Sequence, residues 1–305
     1  MNIYPSDDES IKRAALFIRS GDLVIVPTET VYGLAANALM QEAVEKIFIA
    51  KGRPAGHPLI CHVGVREQLS SVVATWPKQA EALANAFWPG PLTIVLEKSA
   101  GLPSVVTGGL ETAAVRMPGH ALLRRLILES GVPLAAPSAN PFMSVSPTRV
   151  EHLAESVVQA ARMVIDGGPC SFGIESTIVD LTESSPRLLR PGAVSAAEVE
   201  QVLQCDLMEG DRSKAPGGHP KHYAPSATLR FVDAAEGRPG LVFGSPTSPG
   251  QIEMPRTAKE YASRLYDALH TLDRLGYREI WVEVPPSTKE WDAVRDRLER
   301  ARSDG

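Results

Sequence analysis

The stretch Val24–Val63, VIVPTETVYGLAANALMQEAVEKIFIAKGRPAGHPLICHV, decides how the rest of the chain is read. Its β-branched run, Val24–Ile25–Val26, predicts a buried strand that stops at Pro27. A polar turn, Thr28–Glu29–Thr30, follows, then Tyr32, Gly33 and small residues. Ala43, Val44, Ile47 and Ala50 recur at helical spacing, and Gly52 after Lys51 supplies a C-cap. Lys51, Arg53 and His57 then share a loop around Pro54 and Gly56. Leu59–Val63, carrying His62, predicts a second strand. The stretch reads as strand, helix and strand, with hydroxyls on one loop and cations on the other.

That second loop suits an anion. A lysine is a point charge and an arginine a planar fork, and the pair matches phosphate oxygens. Pro54, directly after Arg53, limits the entropy lost on organising the site. An isolated Lys-x-Arg is more often a solvated helix end facing the dipole, so the weight falls on whether other turns join it.

Bulk properties narrow the class. The chain has 305 residues, enough for one large domain or two, with 44% hydrophobic and 22% charged residues. A net charge of −5 argues against a nucleic-acid coat while leaving room for a local basic groove. Cys61, Cys170 and Cys205 are far apart and form neither a CxxC nor a zinc spacing, which fits a reducing cytoplasm. The first residues lack the pattern of a signal peptide. No apolar run approaches the ~18 residues of a membrane span.

Strand and helix patterns alternate along the first two-thirds. Ser6 is expected to open a helix lined by Ile11, Ala14, Ala15 and Ile18, and Lys78–Phe87 and His120–Ser130 to be helical. Pro147 is placed to start a helix through Leu153, and Ser195–Leu203 to form another. Thr93–Leu96, Ala113–Arg116, Pro133–Ala136, Met163–Ile165, Thr177–Val179 and Arg187–Leu189 are expected strands, and Gly101–Gly109 a loop. This predicts an α/β catalytic domain over residues 1–205, built on a twisted mixed sheet with flanking helices. Residues 206–226, with Lys214, Pro216, Gly217, Gly218, His219, Pro220, Lys221, His222, Tyr223 and Pro225, read as a linker. Residues 227–305 predict a smaller Rossmann-like α/β domain, with strands Leu229–Val232, Leu241–Phe243 and Ile280–Val284 and helices Tyr261–Leu275 and Glu290–Ala301.

Several polar turns follow apolar strands: Thr28–Thr30, Arg116–Met117–Pro118, Pro137–Ser138–Ala139–Asn140 and Arg190–Pro191–Gly192. In open α/β sheets ligands sit outside the carboxyl ends of strands. Arginines, hydroxyls and an amide gathered there point to a nucleotide and a small polar substrate. Gly173–Thr177 adds Ser176, and Glu175 as the one carboxylate placed for base work or for a structural tie. His62 and Tyr32, on apolar segments, read first as packing residues. There is no P-loop, no GxGxxG and no metal spacing. The residues alone therefore reach an α/β enzyme with a cationic phosphate site.

In order, PTETVYGLAANA (27–38), KGRPAGHPL (51–59), AAVRMPGH (113–120), PLAAPSANPFMSVSPT (133–148), ESTIVD (175–180) and LRPG (189–192) resemble the YrdC-like threonylcarbamoyl-adenylate synthases. GGHPKHYAP (217–225) and the unit after it resemble the two-domain form of that family, although the unit is shorter than expected. The resemblance implies synthesis of threonylcarbamoyl-AMP and pyrophosphate from L-threonine, bicarbonate or CO2, and ATP. Mg²⁺ would be carried by ATP, and transfer proteins would then modify tRNA. By motif, Thr30, His62, Arg116, Ser138 and Ser176 would surround threonine. Lys51, Arg53, His57, Thr112, Asn140, Thr148 and Arg190 would contact ATP, with Lys51 and Arg53 the catalytic cations and Tyr223 a lid. His57 stands where the family usually has asparagine. Two other functions stay open: a carbamoyl-adenylate-forming relative, whose carbamoyl-phosphate module is not visible here, and a non-catalytic RNA-binding module, with tRNA contact undecided.

Overall fold

In the computed structural model, which describes residues 2–54, 56–212, 215–218 and 222–302, the Val24–Val63 stretch forms two strands before its helix. Lys214, His219, Pro220 and Lys221 of the expected linker lie outside the described residues. After β1 (Ile3–Pro5) and α1 (Asp8–Arg19) come β2 (Val24–Val26), β3 (Gly33–Asn37), α2 (Gln41–Lys51) and β4 (Ile60–His62). β3 was not expected, because Gly33–Leu34–Ala35–Ala36–Asn37 has poor strand propensity. Antiparallel pairing with β2 on one side makes it a strand. α1 is capped by Asp7, whose carboxylate accepts from Ser10 N at 2.8 Å, and not by Ser6. Gly52 ends α2 in the left-handed region at φ 60°, a conformation that favours glycine.

The first domain continues through α3 (Lys78–Phe87), β5 (Leu92–Glu97), α4 (Ser104–Thr107), β6 (Thr112–Arg116), α5 (Ala121–Ser130) and β7 (Leu134–Ala135). Then follow α6 (Glu155–Ala160), β8 (Met163–Asp166), β9 (Thr177–Asp180), β10 (Arg187–Arg190), α7 (Ala196–Leu203) and β11 (Met208–Glu209). The 101–109 loop thus contains the short helix α4. The helix expected from Pro147 is only a 3-10 turn at Val150–His152, because Thr148 N turns to the His152 ring (3.2 Å) and Arg149 stays extended.

Eleven strands form one mixed sheet, ordered β1-β8-β2-β3-β7-β4-β6-β5-β9-β10-β11. Alternate residues of its strands feed opposite cores. Ile25, Leu34 and Ala36 pack with α2, while Val24, Val26 and Ala35 pack with α1 and α5. β12 (Thr228–Val232), β13 (Gly240–Val242), β14 (Gln251–Glu253) and β15 (Glu279–Glu283) form a separate parallel sheet, ordered β12-β15-β13-β14. α8 (Ala258–Arg274) and α9 (Asp292–Ala301) accompany it. The apolar core of this second unit takes in Val31, Val145 and Ile174 of the first. No described helix is long and apolar enough to cross a membrane.

The two units also meet through a pair of histidines. His152 stacks on His270 of α8 with ring centroids 4.1 Å apart. His270 Nε2 lies 3.1 Å from Ser146 O, and Arg149 pairs with Asp267 at 2.8 Å. Burial, then His270, pushes His152 down to about 3, and burial lowers His270 too. Both rings are neutral when folded, while their unfolded counterparts titrate near 6.5.

Two predictions follow from this packing. Below about pH 6.5 the unfolded chain binds more protons than the folded one, so stability should fall steadily toward pH 4. Denaturant melts across that range should show the decline in wild type and a shallower one in His152→Gln. A Cβ at Gly192 would lie 2.4 Å from Thr177 N and 2.6 Å from Glu175 O. Gly192→Ala should therefore destabilise the protein by about 2 kcal/mol or more, read as a fall in melting temperature.

Candidate active site

The polar turns do converge, though not as a row along one sheet edge. β2 and β7 run opposite to β6 and β10, so their turns leave from opposite ends of the strands. The cavity forms across the sheet face between them, with Gly33 of β3, Ile60 and His62 of β4 and Arg116 of β6 in its walls. Thr30, Arg53, His62, Arg116, Ser138, Ser176, Arg190 and Tyr223 all line it. The open space is about 50 Å³, room for a water or two.

One wall is built on a buried ion pair. Arg116 Nη2 donates to Glu29 Oε1 at 2.5 Å, and Arg116 Nη1 donates to Thr30 Oγ1 at 3.1 Å. Gly119 N also donates to Glu29 Oε1, at 2.8 Å. Burial alone would raise the Glu29 pKa, but Arg116 and Gly119 N–H outweigh it and hold the carboxyl below its usual range. Arg116 thereby keeps one face toward the cavity. His62, beside it, has no partner for Nδ1 among the described residues. Burial, then the Arg116 charge, lowers His62 to about 3, so it is a neutral hydrogen-bonding group.

The opposite wall carries Ser176, whose Oγ lies 2.8 Å from Thr93 Oγ1 and accepts from Arg190 Nη2 at 3.1 Å. Arg190 Nη1 donates to Pro216 O at 2.9 Å, which brings the linker over the cavity. Arg53 Nη2 donates to Pro58 O at 3.1 Å, while its Nε has no partner among the described residues. Burial lowers its pKa to about 10. A buried arginine with so few partners is a ready receptor for an anion.

Lys51 is held differently from the expected open cation. Its Nζ donates to Ser138 O at 2.5 Å and to Asn140 O. Burial, then Arg53, holds its pKa well below the usual value. It sits behind the Ser138–Asn140 turn and fixes that turn's shape. Asn140 Nδ2 donates to Pro141 O and Ser144 O, leaving Oδ1 without a partner among the described residues. His57 lies at the rim, its ring 5.5 Å from Phe142, which in turn meets His222 at 6.1 Å. Thr148 faces His152 at 3.2 Å, and Thr112 begins β6 at the end away from Arg116; neither lines the cavity.

Glu175 is a brace and not a base. It accepts from Ser146 Oγ at 2.7 Å, Tyr266 OH at 2.9 Å and Arg297 Nε at 2.7 Å. Burial raises its pKa, but Arg297, then Arg190 and Ser146, bring it down to about 2. A carboxylate so fully engaged takes up no proton near neutrality. Tyr32, expected as packing, is buried and donates to Gly168 O at 2.8 Å. Sequence reading missed Glu29 as the partner of Arg116, and His222, whose ring lies 4.2 Å from that of Tyr223 inside the cavity. Glu29 sits within the same turn as Thr28 and Thr30, and a buried arginine's need for a carboxylate is the signal that could have found it.

Comparison with known proteins places the chain in a family. A family model covering Sua5, YciO and YrdC proteins, described as telomere recombination, matches residues 16–192. A second, described as the threonylcarbamoyl-AMP synthase C-terminal domain, matches residues 194–303. The threonylcarbamoyl-AMP synthase of Pyrococcus abyssi is 43% identical over 97% of this chain and 94% of its own length. That of Bacillus subtilis is 37% identical over 97% and 94%. The crystal structure of P. abyssi Sua5 complexed with L-threonine superposes with a TM-score of 0.92 at 41% identity, covering 99% of this chain and 97% of that one. On motif order, two-domain architecture and near full-length similarity, this chain belongs to the two-domain threonylcarbamoyl-AMP synthase family.

Proposed function

We propose that this protein makes threonylcarbamoyl-AMP and pyrophosphate from L-threonine, bicarbonate or CO2, and ATP, supplying the cytoplasmic proteins that modify tRNA. One observation carries the reading: Thr30, His62, Arg116, Ser138 and Ser176 share a single cavity with Arg53 and Arg190. Arg116 suits the threonine carboxylate, and the hydroxyls of Thr30, Ser138 and Ser176 suit its polar atoms. The neutral His62 offers a hydrogen bond without adding charge. Arg53 and Arg190 then face the phosphates.

The chemistry needs little covalent help. The threonine amine attacks CO2 and loses a proton to give a carbamate. A carbamate oxygen attacks the α-phosphorus, the bond to the bridging oxygen breaks, and pyrophosphate leaves. Alignment and neutralisation of phosphate charge supply most of the rate. Lys51 shapes the turn that carries Ser138 and Asn140, and an arriving triphosphate would raise its proton affinity. Glu175 in the cavity lining, and Glu29 beside the lining residue Arg116, are each paired with an arginine. The donor set therefore does not suit a protein-held metal, and Mg²⁺ would enter as part of MgATP.

A cavity of about 50 Å³ is far smaller than the roughly 300–1,000 Å³ of ordinary ligand pockets. His222 and Tyr223 of the linker line this cavity together with Arg53, Arg116 and Arg190. On this reading the linker leaves the cavity when ATP enters and closes again over the bound adenylate. Closure matters because a mixed anhydride is lost to hydrolysis when water reaches it.

Two measurements test this. Pyrophosphate release should require threonine, bicarbonate, ATP and Mg²⁺ together; release without threonine, or none with all four, contradicts the reading. Arg53→Met should lower that release by about a hundredfold or more. Its melting temperature should stay level or rise, since an underpaired buried charge is removed. A large drop in melting temperature would assign Arg53 to the framework instead.

A further inference from the structure

One helix of the second domain contacts both the linker and Glu175 of the cavity lining. Asp296 of α9 accepts from Arg212 Nη1 at 2.7 Å, and Arg300 O accepts from His222 N at 2.9 Å. The guanidinium groups of Arg297 and Arg300 lie 5.0 and 5.1 Å from the centroid of the Tyr223 ring. Arg297 is fully buried, and its Nε holds Glu175 Oε2 at 2.7 Å. Its Nη1 holds Asp296 at 2.6 Å, and Nη2 has no partner among the described residues. Arg297 is not part of the cavity lining, and its charge meets the cavity only through Glu175 and Tyr223.

Glu175 explains what that charge does. Its other oxygen takes the hydroxyl of Ser146, so the carboxylate ties the loop before β9 to the loop after β7. Those loops carry Ser176 and Ser138 into the lining of the one cavity. Without a cation, a buried carboxylate at this place would repel other anions and seek water. Arg297 therefore decides whether the two loops stay at the spacing that receives a zwitterionic amino acid. The same guanidinium also carries the face of Tyr223, so seating of the linker and spacing of the loops act on one side chain.

We infer that Arg297 is a positioning residue for threonine: acting through Glu175, it sets the distance between the Ser138 and Ser176 walls and links that distance to the seated linker. This rests on the proposed threonine site and extends it to the second domain. The role assigned to that domain is then specific. It completes the amino-acid site from outside, by pairing a charge that the first domain leaves buried.

Threonine binding without ATP, measured by titration calorimetry on the full chain, tests it. Arg297→Met should weaken threonine binding about tenfold or more, and Glu175→Gln should do so to a similar degree. If Arg297 acts through Glu175, the double variant binds threonine no worse than the weaker single variant. Arg297→Lys keeps a charge beside Glu175 and should recover most of the affinity. Additive losses in the double variant, or unchanged affinity in Arg297→Met with only a lower melting temperature, would overturn the inference. Should Arg297→Met fail to fold, Glu175→Gln and Arg297→Lys decide: no loss in the first, or no recovery in the second, has the same force. Wild-type protein that binds no threonine would overturn the functional reading itself, and this inference with it. Wild-type binding beside an unaffected Arg297→Met overturns the inference alone.

Discussion

Four cations, Lys51, Arg53, Arg116 and Arg190, are buried around one small cavity, and their mutual repulsion is the constraint on which the rest of the structure depends. Each has lost water, and each raises the cost of its neighbours. The fold tolerates this by two carboxylates and a set of carbonyls. Glu29 takes Arg116, the Ser138 and Asn140 carbonyls take Lys51, and the Ser176 and Pro216 carbonyls take Arg190. Arg53 is left with one carbonyl. A cavity arranged in this way stays short of negative charge, which favours an anionic ligand.

The second domain belongs to this electrostatic arrangement. Glu175 faces the cations from inside the first domain, but two of its three donors, Tyr266 and Arg297, come from the second. The linker crosses between the domains with His222 and Tyr223 in the cavity. His222 meets Phe142 edge-on, and Tyr223 stacks on Tyr266. An apolar core that includes Val31, Val145 and Ile174 makes the contact continuous. The cavity, the linker and α9 thus form one packed unit in which a change at one surface is felt at the others.

Several features were legible before any coordinates. Gly52 after Lys51 marked the end of α2, and the left-handed backbone there explains why glycine stands at that position. The alternation of strands and helices pointed to an α/β fold on a mixed sheet, which the structure has. Other features were not legible. β3 is made of glycine, alanine, leucine and asparagine, and only pairing with β2 and β7 makes those residues a strand. The 147–153 segment carried a proline signal for a helix, but side-chain capture by His152 took its first amide. The rule that ligands gather at the carboxyl ends of parallel strands pointed to turns that share one cavity, but for a reason that does not hold here, because the sheet is mixed.

The amino-acid sequence by itself determined which side chains are available and which local turns carry them: hydroxyls at 28–30, cations at 51–53, and a serine–asparagine turn at 138–140. Those depend on spacing, proline and glycine, which act over a few residues. Tertiary structure decided partnership. It turned Glu175 from a candidate base into a brace, put Lys51 behind a turn, and paired Arg116 with Glu29 across 87 positions. The reason is physical: a charge's role depends on what replaces its water, and those replacements come from parts of the chain that only folding brings together.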